Sequence, residues 1–314
     1  MPDIITIGET HVARGENAEI HLNIARLPTH TLIQIPVYVF RAEKSGPILL
    51  LCGGMHGDEL NGIEIVRRII ATGRAQPEIG TVICVPVINI YGFLNASRDL
   101  PDGRDLNRSF PGSKNGSLAS RIAYVLMKEI VPHIDYGIDF HTGGASRTNY
   151  PQLRCTVKHP GSLKLAKAFA PPFIIDSEFR PSSFRKEASK HKKQIFVYEG
   201  GESLRFDEFA IMEGVNGTLR FMNHLGMAAA PKARHKTVII GRDTWMRARS
   251  SGLFHSYVRY GSRVEIDELI GSITDPFGET EYEVRADMGG YILGLNNMPI
   301  VNKGDAIVHI GREK

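Results

Sequence analysis

The stretch ILLLCGGMHGDELNG, residues 48–62, decides the fold that the sequence predicts. Its first five residues form a continuous apolar run, which is typical of a strand covered on both faces. The run opens into a glycine-rich turn that carries His56 and Glu59. Apolar residues then recur at helical spacing until Gly73, where the helix is expected to end. The stretch therefore predicts a buried strand, a turn with reactive side chains and a helix.

The same alternation of strands and helices continues to about residue 225. The run GTVICVPVINIYG (80–92) predicts another strand, residues 117–132 predict a helix, and DYGIDFHTGG (135–144) predicts a strand that ends in a turn. Short alternating runs in the first 40 residues suit edge strands. We therefore expect an α/β domain over residues 1–230, with a mixed, mostly parallel sheet and helices on both faces.

The pattern changes after residue 234. Residues 235–314 contain short β-type runs separated by turn signals and show no helical period, so they predict a small all-β domain. The rhythm of residues 284–311 resembles the barrel-sandwich hybrid of biotinyl and lipoyl carriers. Met288 is followed by two glycines rather than by a modifiable lysine, so no prosthetic group is expected. We expect this domain to narrow the mouth of the active site or to support a homo-oligomer.

Composition excludes several functional classes. The net charge of +4 comes from 38 basic and 34 acidic residues spread along the chain, which does not favour nucleic-acid binding. No run approaches the ~20 apolar residues of a membrane span, and the start MPDIITIGET lacks the pattern of a secretory signal. Cys52, Cys84 and Cys155 stand in apolar or strand-like stretches, which favours buried thiols in a reducing cytoplasm.

Two strand ends carry histidines that open into glycine turns. His56 and Glu59 are three residues apart, and His141 ends the apolar strand of IDFHTGG. Imidazole nitrogen and carboxylate oxygen are zinc donors, and a catalytic zinc takes three protein ligands plus water. Because ligands gather at the carboxyl ends of strands in open α/β sheets, these side chains predict a zinc site. A hydrogen-bonded histidine at the rim of the sheet is the plainer alternative for His141.

Two further segments have the composition of a substrate pocket. RDLPDGRDLNRSFPG (98–112) holds three arginines and one asparagine, which suits either a solvated loop or a carboxylate-binding pocket. FVYEGGE (196–202) is an apolar strand ending in glycines, and its Glu199 is a candidate general base. Glu202, further along the turn, is the alternative base.

The ordered set of these motifs resembles a known family. The residues H-G-D-E (56–59), D-L-N-R (105–108), D-F-H (139–141) and the strand-end Glu199 resemble the succinylglutamate desuccinylase and aspartoacylase family, relatives of the zinc carboxypeptidases. The resemblance covers most of residues 40–225. It implies a zinc-dependent, carboxypeptidase-like hydrolase that cleaves the amide bond of a small N-acyl amino acid, of the N-acetyl or N-succinyl type.

The resemblance also implies residue roles. One zinc ion per chain would be bound by His56, Glu59 and His141. The other implied roles are general base for Glu199, substrate-carboxylate binding for Asn107 and Arg108, and oxyanion stabilisation for Arg98, with Arg104 as the alternative. The family's substrate-binding tyrosine has no clear match, and Arg147 and Tyr150 are either further pocket residues or surface residues of a loop.

Two rival functions stay open at this stage. A zinc carboxypeptidase that trims peptide C-termini would use the same ligands and the same carboxylate-binding residues. A non-catalytic zinc protein would close its metal shell with a fourth protein ligand, whereas this sequence offers three ligands and a spare carboxylate. The acyl group, the amino acid and the oligomeric state are not indicated by the sequence.

Overall fold

The computed structural model describes residues 3–233 and 235–314. Its helices are α1 (Leu60–Ala71), α2 (Ile90–Leu94), α3 (Leu118–Glu129), α4 (Ser162–Phe169), α5 (Phe184–Lys190) and α6 (Glu208–His224). Its strands are β1 (Ile4–Ile7), β2 (Thr10–Ala13), β3 (Asn17–Arg26), β4 (Leu32–Arg41), β5 (Ile48–Cys52), β6 (Thr81–Val85), β7 (Tyr136–Gly143), β8 (Arg147–Cys155), β9 (Phe173–Asp176), β10 (Gln194–Glu202), β11 (Val238–Arg247), β12 (Gly252–Ser256), β13 (Arg263–Val264), β14 (Leu269–Thr274), β15 (Glu281–Arg285), β16 (Gly290–Asn296), β17 (Ile300–Val301) and β18 (Ala306–Glu313).

Twelve strands form one mixed sheet in the order β13-β16-β18-β11-β9-β8-β10-β7-β5-β6-β4-β3. Two parallel blocks, β6-β5-β7-β10 and β8-β9-β11, meet at the antiparallel pair β10-β8. Both ends of the sheet are antiparallel, so the predicted predominance of parallel pairing holds only for the centre. The predicted α/β fold with a mixed sheet is confirmed.

Helices cover both faces of this sheet, as the sequence predicts. Alternate residues of β5 point to opposite faces: Leu50 belongs to a core cluster with Ile122 of α3, and Leu49 to a cluster with Ile65 of α1. The strand is buried along its whole length. Cys52, Cys84 and Cys155 are free and buried, which confirms the expected buried thiols.

Two details of the predicted elements are wrong. Only Thr81–Val85 of the 80–92 run is a strand, since Pro86 has no N–H to continue the ladder and Asn89 caps the short helix α2 by accepting from Gly92 N at 2.8 Å. The second correction concerns β4, which was expected at an edge. It pairs with β6 as well as β3, so only β3 lies at the edge.

Close packing of α1 on the sheet sets the position of the loop before it. A Cβ on Gly62 would collide with the carbonyl oxygen of Phe140, so glycine lets the start of α1 lie directly against β7. Gly57 in the preceding turn packs still more tightly, because a Cβ there would collide with the backbone of Gly92. These contacts bring the turn at residues 53–59 beside the end of β7.

Residues 235–314 contain only strands among their regular elements, as predicted. Strands β11, β18, β16 and β13 extend the main sheet, because β11 pairs with β9 and β16 pairs with β8. Strands β15, β14, β12 and β17 form a separate four-stranded sheet. The division at residues 230–235 stays a prediction, and Arg234 within it lies outside the described residues. Across the described chain, no helix has the length and apolar character needed to span a membrane.

Candidate metal centre

The three predicted ligands lie together. His56 lies in the turn before α1, Glu59 lies at the N-terminal cap of α1, and His141 lies on β7. Their ligand atoms are all within 4.8 Å of one another, and the three side chains are buried. Glu59 faces both imidazoles, with Oε1 at 2.7 Å from His56 Nδ1 and Oε2 at 2.8 Å from His141 Nδ1. The Nδ1 atoms therefore point toward a common centre.

Two aspartates fix the outer nitrogens of these rings. Asp105 Oδ1 is 3.1 Å from His56 Nε2, and Asp139 Oδ2 is 2.9 Å from His141 Nε2. An imidazole that donates its outer N–H to a carboxylate leaves the other nitrogen free to bind a metal. Neither aspartate was predicted from the sequence as a residue of the site. Asp139 had a detectable signal, because a residue two positions before His141 on a strand points to the same face.

The protonation of the cluster follows from these contacts. Burial lowers the pKa of His141, but the carboxylates of Asp139 and Glu59 outweigh burial and hold its pKa well above the usual value. Burial raises the pKa of Glu59, but His56 and His141 outweigh it and hold that pKa well below the usual value. Two imidazole nitrogens and one carboxylate oxygen match the donor set of a catalytic zinc site, so these residues fit the ion.

Arg98 lies beside the cluster and Arg104 does not. Nη1 of Arg98 is 3.2 Å from Glu59 Oε1, and its Nη2 donates to Asp105 Oδ2 at 2.8 Å. Arg104 is exposed, and its Nε is 3.8 Å from Asp102 Oδ2. Of the two arginines left open by the sequence, only Arg98 therefore reaches the metal centre.

The cluster opens into a cavity of about 360 Å³ that the other predicted site residues also line. Glu199 accepts a hydrogen bond from Asn149 Nδ2, and its Oε1 is 3.1 Å from Arg154 Nε. Asn107 Oδ1 accepts from the backbone N–H of residue 184 at 2.9 Å, and Arg108 Nη1 donates to the carbonyl of Asn107 at 2.6 Å. The alternative base, Glu202, is not part of this lining.

The rest of the lining was only partly anticipated. Arg147 lines the cavity, whereas Tyr150 packs among aromatic rings, at 5.5 Å from Phe173, outside it. The lining residues that were not predicted individually include Asn149, Arg154, Arg180, Arg185 and Trp245. Trp245 belongs to β11, so the C-terminal segment contributes to the cavity wall.

Comparison with known proteins agrees with this geometry. The sequence model of the succinylglutamate desuccinylase/aspartoacylase catalytic domain matches residues 45–225. The chain belongs to this family. It is 30% identical over 295 residues to N-alpha-acetyl-L-2,4-diaminobutyric acid deacetylase of Halomonas elongata. The aligned region covers 88% of this chain and 85% of that relative. The family is one of amide-hydrolysing enzymes, and the predicted resemblance is confirmed.

Solved structures share the whole fold. A succinylglutamate desuccinylase/aspartoacylase from Rhodobacter sphaeroides is 25% identical, with a TM-score of 0.83 and coverage of 95% of this chain and 96% of that chain. The product-bound ectoine utilization protein of Ruegeria pomeroyi is 23% identical, with a TM-score of 0.83 and coverage of 95% and 94%. The second likeness shows the fold alone.

Proposed function

We propose that the protein is a zinc-dependent hydrolase that cleaves the amide bond of a small N-acyl amino acid. The observation that carries the proposal is the convergence of the ligand atoms of His56, Glu59 and His141 within 4.8 Å, in a cavity that Glu199 also lines. The deacetylase relative acts on an N-acetyl amino acid by name, which supports the same bond type here.

Different residues of the site have different roles in amide hydrolysis. Zinc held by His56, Glu59 and His141 would act as a Lewis acid and would lower the pKa of water from ~15.7 toward ~7. Glu199 accepts a proton from the attacking water and returns it to the amine as the amide C–N bond breaks. Arg98, beside Glu59, stabilises the negative charge that develops on the amide oxygen, a contact commonly worth ~3–4 kcal/mol.

Asn107 and Arg108 bind the carboxylate of the substrate in this proposal. Arg108 makes no ion pair with a carboxylate among the described residues, and it lines the cavity. The Oδ1 atom of Asn107 is already occupied by a backbone N–H, which fixes the side chain and leaves its amide N–H groups as donors. Binding of the carboxylate at both residues would orient the scissile amide at the metal centre.

The rest of the chain fits this assignment. Residues 1–230 would form the catalytic domain, and residues 235–314 a barrel-sandwich-like domain that narrows the cavity, which the position of Trp245 supports. The three buried free cysteines support a cytoplasmic protein. A homo-oligomer formed through the C-terminal strands is part of the same proposal.

A substrate panel tests the function. Purified zinc-loaded protein is incubated with N-acetyl and N-succinyl amino acids, including N-α-acetyl-L-2,4-diaminobutyrate, and with short peptides that have free C-termini. Mass spectrometry should show cleavage of acyl amino acids by the native protein. His141→Ala should lose both bound zinc and this activity, because it removes one of the three ligands. Cleavage of peptides alone would establish a carboxypeptidase, and zinc binding without any cleavage would favour the non-catalytic alternative.

A further inference from the structure

An irregularity in the pairing of β8 with β10 turns Asn149 toward the cavity. In this antiparallel pair Gln152 lies opposite Glu199, and Asn149 lies opposite Gly201. A regular ladder would place Tyr150 opposite Gly201, so β8 holds one extra residue between the two pairs, which is a β-bulge. Residues directly opposite each other share a face of the sheet. The bulge therefore puts the side chain of Asn149 on the face of Glu199, and that of Tyr150 on the other face.

Asn149 holds the carboxylate of Glu199. Its side chain is buried, with 4% of the residue exposed, and its Nδ2 donates a hydrogen bond to Glu199 Oε2. An ionised carboxylate only accepts hydrogen bonds, so the amide must present its N–H group to it. The other oxygen, Oε1, is 3.1 Å from Arg154 Nε, but this Nε makes no hydrogen bond within the described chain. The orientation of the carboxylate therefore depends on Asn149.

The same amide has a buried acceptor that is not satisfied. Asn149 Oδ1 is buried and has no hydrogen-bond partner among the described residues. An unsatisfied buried oxygen destabilises a folded protein, and an apolar side chain of the same shape would remove that cost. Stability therefore does not favour asparagine at this position. The donor group that faces Glu199 gives the amide a functional reason instead.

Strand β16 fixes the amide from the other side. Gly294 lies opposite Asn149 in the antiparallel pairing of β16 with β8. A Cβ on Gly294 would lie 2.8 Å from Asn149 Oδ1 and 2.9 Å from the carbonyl oxygen of Thr148, so glycine leaves the room that the amide needs. Asn297, directly after β16, donates its side-chain N–H to Thr148 Oγ1 at 2.6 Å. The C-terminal strands thus hold the part of β8 that carries Asn149.

We propose that Asn149 is a positioning residue that orients the carboxylate of Glu199 for proton transfer, and that β16 sets the position of Asn149. Glu199 pairs with His141 across β10 and β7, so the oriented carboxylate belongs to the strand beside a predicted metal ligand. A carboxylate held in one orientation is ready more often to accept the proton of the attacking water. The inference rests on the proposed function, in which Glu199 is the general base, and it gives the C-terminal strands a part in catalysis.

Steady-state kinetics test the role of Asn149. Asn149→Leu removes the donor and nearly keeps the size of the side chain, so kcat should fall on the order of 10- to 100-fold with KM within a few fold. Asn149→Asp, which has the same shape but repels Glu199, should not restore the rate. Zinc content should stay at the native level in both variants. Asn23→Leu, which changes an exposed strand asparagine outside the cavity lining, is the matched control. A native kcat in Asn149→Leu would overturn the proposal.

A double-mutant cycle distinguishes positioning from a general structural role. If Asn149 acts through Glu199, Asn149→Leu should lower the residual rate of Glu199→Gln by less than about threefold. Losses that multiply in the double variant would overturn the proposal. The Tm of Asn149→Leu should not fall below that of the native protein, because the substitution removes the unsatisfied oxygen.

Gly294 tests the contribution of β16. Gly294→Ala should lower kcat in the same direction as Asn149→Leu and leave zinc bound, because its methyl group displaces the amide. Gly289→Ala is the control, since a Cβ there would be 3.3 Å from the backbone nitrogen of Ile266 and far from β8 in sequence. An unchanged kcat in Gly294→Ala would show that β16 does not set the position of Asn149.

Crystal structures separate this inference from the proposed function. Zinc-loaded native protein and Asn149→Leu are compared at the side chain of Glu199, which should be rotated or divided between conformers in the variant. If the native protein hydrolyses no acyl amino acid, the proposed function fails, but this comparison still decides whether Asn149 orients Glu199. The same single orientation of the carboxylate in both structures would overturn the inference.

Discussion

The metal centre and the arginine-lined wall of the same cavity differ in how their charged side chains are paired. In the centre, Glu59 contacts both histidines and Arg98, and each imidazole also contacts an aspartate. In the wall, Arg147 and Arg185 make no ion pair with a carboxylate among the described residues. The charges of the centre are thus paired within the protein, whereas these two guanidinium groups line the cavity without a paired carboxylate.

This difference separates the expected effects of substitutions. Residues of the centre should change metal binding and the rate of the chemical step, because they act on the reacting atoms. Residues of the wall should change KM, because they bind parts of the substrate that do not react.

The largest effect is expected at Glu199. Glu199→Gln removes the proton acceptor but keeps the size of the side chain, so kcat should fall by roughly 10²- to 10⁴-fold while zinc remains bound. Glu202→Gln, which changes a carboxylate outside the cavity lining, is the matched control. Kinetics and metal analysis of both variants measure this, and an unchanged kcat in Glu199→Gln would assign the base to another group.

Arg98 should give the next largest effect. Arg98→Met removes the guanidinium beside Glu59, and loss of an oxyanion contact should lower kcat on the order of 10²- to 10³-fold. Arg104→Met should leave kcat nearly unchanged, because Arg104 is exposed and lies away from the metal centre. Zinc content is measured in parallel, since Arg98 also contacts a metal ligand. Equal losses in both variants would contradict the assignment of Arg98.

The sequence predicted the α/β fold class and the grouping of His56, Glu59 and His141. Continuous apolar runs predicted β5, and histidines at two strand ends predicted the cluster, because both signals depend on local periodicity and on where strands end. A strand-end pattern indicated Glu199, the family resemblance then implied roles for Asn107, Arg108 and Glu199, and all three line the cavity. Local pattern and a known motif order therefore located the residues nearest to the expected chemistry.

The wall of the cavity was not predictable in the same way. Arg185 on α5 and Trp245 on β11 come from distant elements and both line the cavity, and Trp245 is brought there by the pairing of β11 with β9, next to β8. No local pattern encodes such a long-range pairing. Arg98 and Arg104 are arginines of the same loop. Only the folded path of that loop shows which of them reaches the metal centre. The position of Asp139 was predictable, because side chains two residues apart on a strand point to the same face. The position of Asp105 was not, because it depends on how the 98–112 loop folds.

Asp139 offers an intermediate effect within the centre. Asp139→Asn keeps a hydrogen-bond acceptor near His141 Nε2 but removes the negative charge, so zinc affinity should fall about 10- to 100-fold. Competition against a chelator measures the change. Asp102→Asn, an exposed aspartate of the 98–112 loop, is the control and should bind zinc like the native protein. Native affinity in Asp139→Asn would mean that the orientation of His141 does not depend on this carboxylate.

The smallest effect is expected at Arg108. Arg108→Met should raise KM about tenfold for N-acyl amino acids with a free α-carboxylate and change kcat little, because the lost contact exists equally before and during the reaction. The matching α-carboxamide substrates should not distinguish the variant from the native enzyme, since they lack the charge that Arg108 binds. If kcat falls as much as kcat/KM, Arg108 acts in the transition state, and the division between a catalytic centre and a binding wall does not hold at this residue.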